Sequence, residues 1–154
     1  MNLRPAAAVD APALGAVHIQ AMRTLTFLPR LHTVEEAVAW MAGEVLPKDQ
    51  VWVSESDGEI AGYVAYTDEW INQLYVRPDR QDQGVGATLL AHVLALGQPK
   101  RLWTFQQNTR ARRFYEARGF VLLRLTDGAG NEERTPDALY EWRGCDSAEI
   151  EDSL

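Results

Sequence analysis

The sequence predicts an α+β domain, a mixed and mostly antiparallel sheet of about seven strands with helices on both faces. Three observations carry that reading. Strand-like segments arrive as runs of neighbours and do not alternate one by one with helices, which disfavours a doubly wound sheet. Asp57-Gly58, set between alternating apolar residues, marks a tight hairpin. Four segments with apolar residues at helical spacing interrupt the strands. A chain of 154 residues, 46% of them apolar, is long enough to bury one core without disulfides or metals.

Residues 2–5 read as a short edge strand. Asp10 is placed to cap a first helix with Pro12 in its first turn and Leu14, Val17, Ile19 and Met22 on its apolar face. Phe27-Leu28-Pro29 should end that helix. Thr33-Val34-Glu35-Glu36 is a capping box that opens a second helix, expected to stop before Pro47. Strands follow at 51–56, 59–67 and 70–76. A helix at 87–96 buries Leu89, Leu90, Val93 and Leu94 and is closed by Gly97 and Pro99. Residues 102–106 form a strand and 109–118 a helix, ended by Gly119 with Phe120 beyond it. Strands at 121–126 and 139–143 then flank the long loop 127–136. The domain is expected to span 1–144, with residues 145–154 forming an acidic, mobile tail.

A net charge of -7 argues against a general nucleic-acid binder, because phosphate contacts need a basic footprint. The single cysteine, Cys145, cannot form an internal disulfide, which fits a reducing compartment. No apolar run reaches membrane-spanning length, so neither a membrane nor a leader is expected, and the setting reads as cytoplasmic. No metal is expected. A homodimer is the expectation that applies to small enzymes in general.

The chemistry concentrates in two stretches. The first, Gln81-Asp82-Gln83-Gly84-Val85-Gly86, runs into a helix, and a helix start with glycines offers unpaired N–H groups to an anion. A nucleotide triphosphate loop would need Gly-Lys-Ser/Thr, whereas this chain has Gly86-Ala87-Thr88. A dinucleotide fingerprint would need a third glycine where Leu89 stands. What remains fits a pyrophosphate. The second stretch runs from Asn108 to Phe120. The basic residues from Lys100 to Arg118 suit either an anionic ligand or a solvated helix face.

Leu74-Tyr75-Val76 followed by Gln81-x-x-Gly84-x-Gly86 resembles the acetyl-CoA motif of the GNAT N-acetyltransferase superfamily. Asn108, Ala111, Phe114-Tyr115-Glu116 and Gly119-Phe120 resemble its second motif, and the order of elements agrees over nearly the whole chain. The resemblance implies a sheet splayed between the fourth and fifth strands, with acetyl-CoA as cosubstrate. Leu74, Tyr75 and Val76 would hold pantetheine, and the Val76 N–H would polarise the thioester carbonyl. Asp82, Gln83, Gly84, Val85, Gly86 and Ala87 would hold the pyrophosphate. Tyr115 would protonate the leaving thiolate; packing beside Phe114 is its structural alternative, and Phe114 is expected to take the core side. Asn108 would contact the cofactor, or simply cap its helix.

Relatives often place a basic glutamate where this chain has Trp70, so Glu69 becomes the candidate general base, with His32 as the other. Phe27, Leu28, Leu31, Tyr66 and Trp70 are candidates for an apolar acceptor wall. The reading is thus acetyl transfer from acetyl-CoA to a primary amine of a small molecule or peptide. A non-catalytic acyl-CoA-binding or sensing domain on the same fold is the alternative.

Overall fold

A computed structural model describes residues 1–144 of the chain. The acidic tail, and with it Cys145, lies outside the described residues. The seven expected strands are present: β1 (Asn2–Pro5), β2 (Gln50–Ser56), β3 (Glu59–Tyr66), β4 (Ile71–Val76), β5 (Lys100–Phe105), β6 (Val121–Thr126) and β7 (Asp137–Trp142). They form two antiparallel sheets, ordered β1-β2-β3-β4 and β5-β7-β6. The helices are α1 (Ala11–Arg23), α2 (Val34–Trp40), α3 (Leu46–Lys48), α4 (Val85–Leu94) and α5 (Thr109–Glu116). The chain divides into two compact units. One holds Met1–Thr67 with Ile71–Val93; the other holds Asp68–Trp70 with the described residues from Leu94 onward.

In the first unit, alternation along each strand decides which helix covers which face. Tyr63 stands opposite Tyr75, and Ala65 opposite Gln73, so these four side chains share one face. The α1 residues Leu14 and Val17, with Met41 and Val45, complete the core on that side. The opposite face carries Gly62 and Trp52 and is covered by α4, whose Val85 approaches Gly62 and whose His92 ring lies 4.1 Å from that of Trp52. Helices on both faces follow directly from the two stripes.

Three local expectations need correction. Asp10 does not cap α1 from the preceding position. A 3-10 turn, Ala8–Asp10, comes first, and the Asp10 carboxylate turns back to accept the Ala7 N–H at 2.7 Å. Arg4 grips that carboxylate through two nitrogens at 2.9 and 3.0 Å, which holds it below its ordinary carboxylate range. The second helix does not stop before Pro47. It passes through a π turn, Met41–Val45, into α3, with Pro47 in the first turn of that segment. A π turn widens the helix just where proline's ring would crowd the carbonyl of Gly43, four residues back. Helix α4 starts two residues earlier than expected, because its first helical bond, from the Thr88 N–H, already reaches the Gly84 carbonyl at 3.0 Å. It also ends two residues early at Leu94, whose carbonyl accepts the Gly97 N–H at 3.0 Å.

In the second unit, β7 lies between β5 and β6 and begins at Asp137, two residues early. The preceding loop is folded on itself. Asn131 bonds the Thr135 carbonyl and the Asp137 carboxylate, and Thr126 bonds Asp137.

Candidate active site

Strand β4 offers one edge to a ligand. The Arg77 N–H donates to the Ala61 carbonyl at 2.8 Å, and Val76 stands opposite Gly62. Antiparallel pairing alternates hydrogen-bonded and non-hydrogen-bonded positions, so Tyr75 bonds towards β3. The N–H and C=O groups of Leu74 and Val76 therefore point away from β3. They have the orientation needed to pair with an extended amide chain.

Beside this edge begins α4. Gly84 is its N-cap, and the N–H groups of Val85, Gly86 and Ala87 have no partner within the helix. The loop reaches that geometry through two left-handed residues, Asp82 (φ 65°) and Gly84 (φ 82°). Aspartate tolerates this region and glycine adopts it freely. Gly62 sets the approach of α4 to β4. A Cβ there would sit 2.8 Å from the Tyr75 carbonyl oxygen, 3.0 Å from Val85 Cγ1 and 3.3 Å from Val76 Cγ2. The candidate pantetheine edge and the candidate pyrophosphate loop are thus brought together in one unit. Arg77 and Arg80, just upstream, are engaged by Glu59, and Arg77 also by Asp79.

Asn108 and Tyr115 lie on α5 in the second unit. Asn108 Oδ1 accepts the Ala111 N–H at 3.2 Å, so its capping alternative is realised. Tyr115 is buried at 8% exposure and makes edge contacts with Phe114 (5.3 Å) and Phe120 (5.4 Å). The expected division of the pair is reversed. Phe114 is only half-buried, with the Arg118 guanidinium 3.9 Å above its ring. The reason lies in the helix end: past Gly119 (φ 91°) the Phe120 N–H returns to the Tyr115 carbonyl at 3.1 Å and lays Phe120 on the tyrosine.

The basic run is largely structural. Arg112 donates from Nε to the Tyr140 hydroxyl at 3.0 Å, and that hydroxyl donates to Glu116 at 2.5 Å. Lys100 is buried and donates to the Asp68 carbonyl at 2.6 Å; burial lowers its pKa. The same edge of β5 takes the Glu69 carbonyl on the Arg101 N–H at 2.9 Å and pairs Trp70 with Arg101. Glu69 is therefore fixed through its main chain, with an exposed side chain. His32 is exposed too, with Nδ1 3.6 Å from a Glu36 oxygen. Of the candidate acceptor wall, Leu31 is exposed, Phe27, Leu28 and Trp70 are half-buried, and Tyr66 is buried.

Sequence reasoning missed one cluster altogether. On the α1 face of the first sheet, the Tyr63 hydroxyl donates to Gln73 Oε1 at 2.6 Å and lies 3.1 Å from His18 Nδ1. The His18 ring is half-buried between Trp40 (5.3 Å) and Tyr75 (5.0 Å, edge-on). The available signal was strand parity: Gln73 is a polar residue in phase with Ile71 and Tyr75.

A family model for the acetyltransferase (GNAT) domain matches residues 47–122. An uncharacterized N-acetyltransferase of Archaeoglobus fulgidus is 31% identical over 149 residues, covering 85% of this chain and 98% of the relative. The chain belongs to the GNAT acetyltransferase family. It is an acyltransferase of that family, and the phosphate-loop rivals fall away. The peptidyl-lysine N-acetyltransferase YjaB of Salmonella typhimurium is 33% identical over 81 residues, 52% of this GNAT chain and 56% of YjaB. Solved structures agree on the fold. Apo YjaB of Escherichia coli superposes with a TM-score of 0.75 at 20% identity, covering 94% of this chain and 98% of its own. For yncA of Salmonella typhimurium, solved with its cofactor acetyl-CoA, the TM-score is 0.73 at 21% identity, with 95% of each chain covered. No helix among the described residues is long and apolar enough to cross a membrane.

Proposed function

We propose that this protein transfers the acetyl group of acetyl-CoA to a primary amine by direct attack, in a cytoplasmic setting. The observation that carries the proposal is the meeting of the outward-turned β4 edge with the α4 N-terminus around Gly62. One offers main-chain groups to an extended amide arm, the other amides and a helix dipole to a pyrophosphate. In this reading Leu74, Tyr75 and Val76 hold pantetheine, and residues Asp82 to Ala87 hold the diphosphate. Asn108 adds a contact through its amide.

The chemistry is addition followed by elimination. The amine lone pair bonds the acetyl carbon, and the Val76 N–H steadies the oxygen as it gains charge. When the C–S bond breaks, the Tyr115 hydroxyl supplies the proton that makes the leaving sulfur a thiol. A phenol keeps its proton at neutral pH and is a competent acid for a thiolate. Peptide lysine is the first acceptor class to test, because two relatives are named peptidyl-lysine N-acetyltransferases. A third is named an L-amino acid N-acyltransferase, so free amino acids come second.

The test is acetyl-CoA turnover against a panel of lysine peptides, amino acids and simple amines, followed by thiol release. Tyr115→Phe should lower kcat by at least about tenfold with acetyl-CoA affinity kept. Tight acetyl-CoA binding with no turnover on any acceptor would favour the non-catalytic binding domain instead.

A further inference from the structure

An amine that attacks a thioester must shed a proton, and the site needs a group placed to take it. The two candidates visible in the sequence, Glu69 and His32, both stand in solvent. The first unit contains a group that is fixed and half-buried. We infer that His18 is the catalytic base of the acetyl transfer proposed above, held by Tyr63 and Gln73 so that its bare Nε2 takes the proton lost by the acceptor amine.

The proton assignments follow from hydrogen-bond valence. Gln73 Oε1 can only accept, so at 2.6 Å the phenol proton of Tyr63 is committed to it. The same phenol oxygen is 3.1 Å from His18 Nδ1 and must then accept, so Nδ1 carries the imidazole hydrogen. Tyr63 is fully buried, and burial raises its pKa well above the ordinary value, which keeps that hydrogen in place. The neutral imidazole has one remaining nitrogen, Nε2, on the side of the ring away from Tyr63. The ring is held against Tyr75, the neighbour in sequence of Val76, whose N–H is the proposed oxyanion donor. Base and oxyanion donor are thereby tied to consecutive residues of one strand.

The electrostatics favour a neutral imidazole. Among the described residues, the titratable groups around His18 are Tyr63 on β3, Tyr75 on β4 and His32 after α1, none of them a carboxylate; α2 contributes the uncharged Trp40. Burial, with a smaller push from His32, lowers its pKa to about 4. Such a base does not deprotonate a free ammonium. It suits a nitrogen made cationic by its new bond to the acetyl carbon, whose N–H is more acidic. In the balanced step, that N–H proton moves to Nε2 and the nitrogen keeps the electron pair. The resulting imidazolium retains its Nδ1–H bond to Tyr63. Its extra proton leaves to solvent as Tyr115 regains the one it gave.

Two readouts test this on the full chain. Nitrogen-15 NMR of the unliganded protein at pH 7 should show His18 protonated at Nδ1 and bare at Nε2, with a mixture of tautomers in Tyr63→Phe. The opposite tautomer, or an imidazolium, in the wild type would overturn the inference. On whichever amine of the panel the wild type acetylates, His18→Gln should lower kcat at least about tenfold with acetyl-CoA affinity unchanged. Tyr63→Phe, which keeps the imidazole, should lower kcat less and leave KM alone. Turnover by His18→Gln within about twofold of wild type removes this inference and leaves acetyl transfer standing. No wild-type turnover with any amine removes both.

Discussion

The two faces of the first sheet build their chemistry from different materials. On the α4 side the candidate site is main chain: an outward-turned strand edge and the amides of a helix start. On the α1 side it is side chain, with His18, Tyr63 and Gln73 contributed by a helix and two strands. A main-chain site depends on local conformation, so a short stretch of sequence specifies it. A side-chain chain of hydrogen bonds depends on register between distant segments, and no short stretch contains it.

The largest expected effect is on the main-chain side. Gly86→Glu places a carboxylate in the first turn of α4, where the helix dipole favours it and the fold should hold. Facing a pyrophosphate, the same charge should weaken acetyl-CoA binding by about a hundredfold, near 3 kcal/mol, as read by calorimetry. Unchanged affinity would separate the glycine loop from anion binding.

The side-chain face should show itself in acid. His18 has a folded pKa of about 4 against an ordinary 6.5, so between those values the unfolded chain binds more protons. Stability is then fully present above about pH 6.5 and is lost as pH falls towards 4, by up to about 3 kcal/mol from this group. Denaturant melts across that window should show the slope in the wild type and a shallower one in His18→Gln. Equal slopes would mean that His18 is hydrated.

A smaller effect is expected where the two faces share a strand. Gly62→Ala puts a methyl group 2.8 Å from the Tyr75 carbonyl oxygen and 3.0 Å from Val85. It should destabilise by about 2 kcal/mol and weaken acetyl-CoA binding severalfold by pushing α4 outward. Loss of stability with full affinity would show that the loop tolerates displacement.

Much of the fold was legible because its signals are local. Asp57-Gly58 marked the β2–β3 hairpin, and the Thr33–Glu36 box marked α2, where Thr33 and Glu36 exchange bonds at 3.0 and 3.1 Å. The family match bears out the GNAT resemblance carried by the glycine loop and the Asn108–Phe120 stretch. Local signals misled where context intervened. Pro47 reads as a stop, but the π turn ahead of it lets the helix continue. Phe114 reads as the core ring, but the return of the chain at Gly119 buries Tyr115 instead. His18 carried no local signal, because its hydrogen-bond partner Tyr63 lies 45 residues away on β3.

In the proposed function, main-chain amides of β4 and the α4 start receive acetyl-CoA. Proton–nitrogen correlation spectra recorded during an acetyl-CoA titration test it most directly. The amides of Val76, Gly84, Val85, Gly86 and Ala87 should move most, and saturate together. Saturable binding that leaves those amides in place, or no binding at all, would contradict the account.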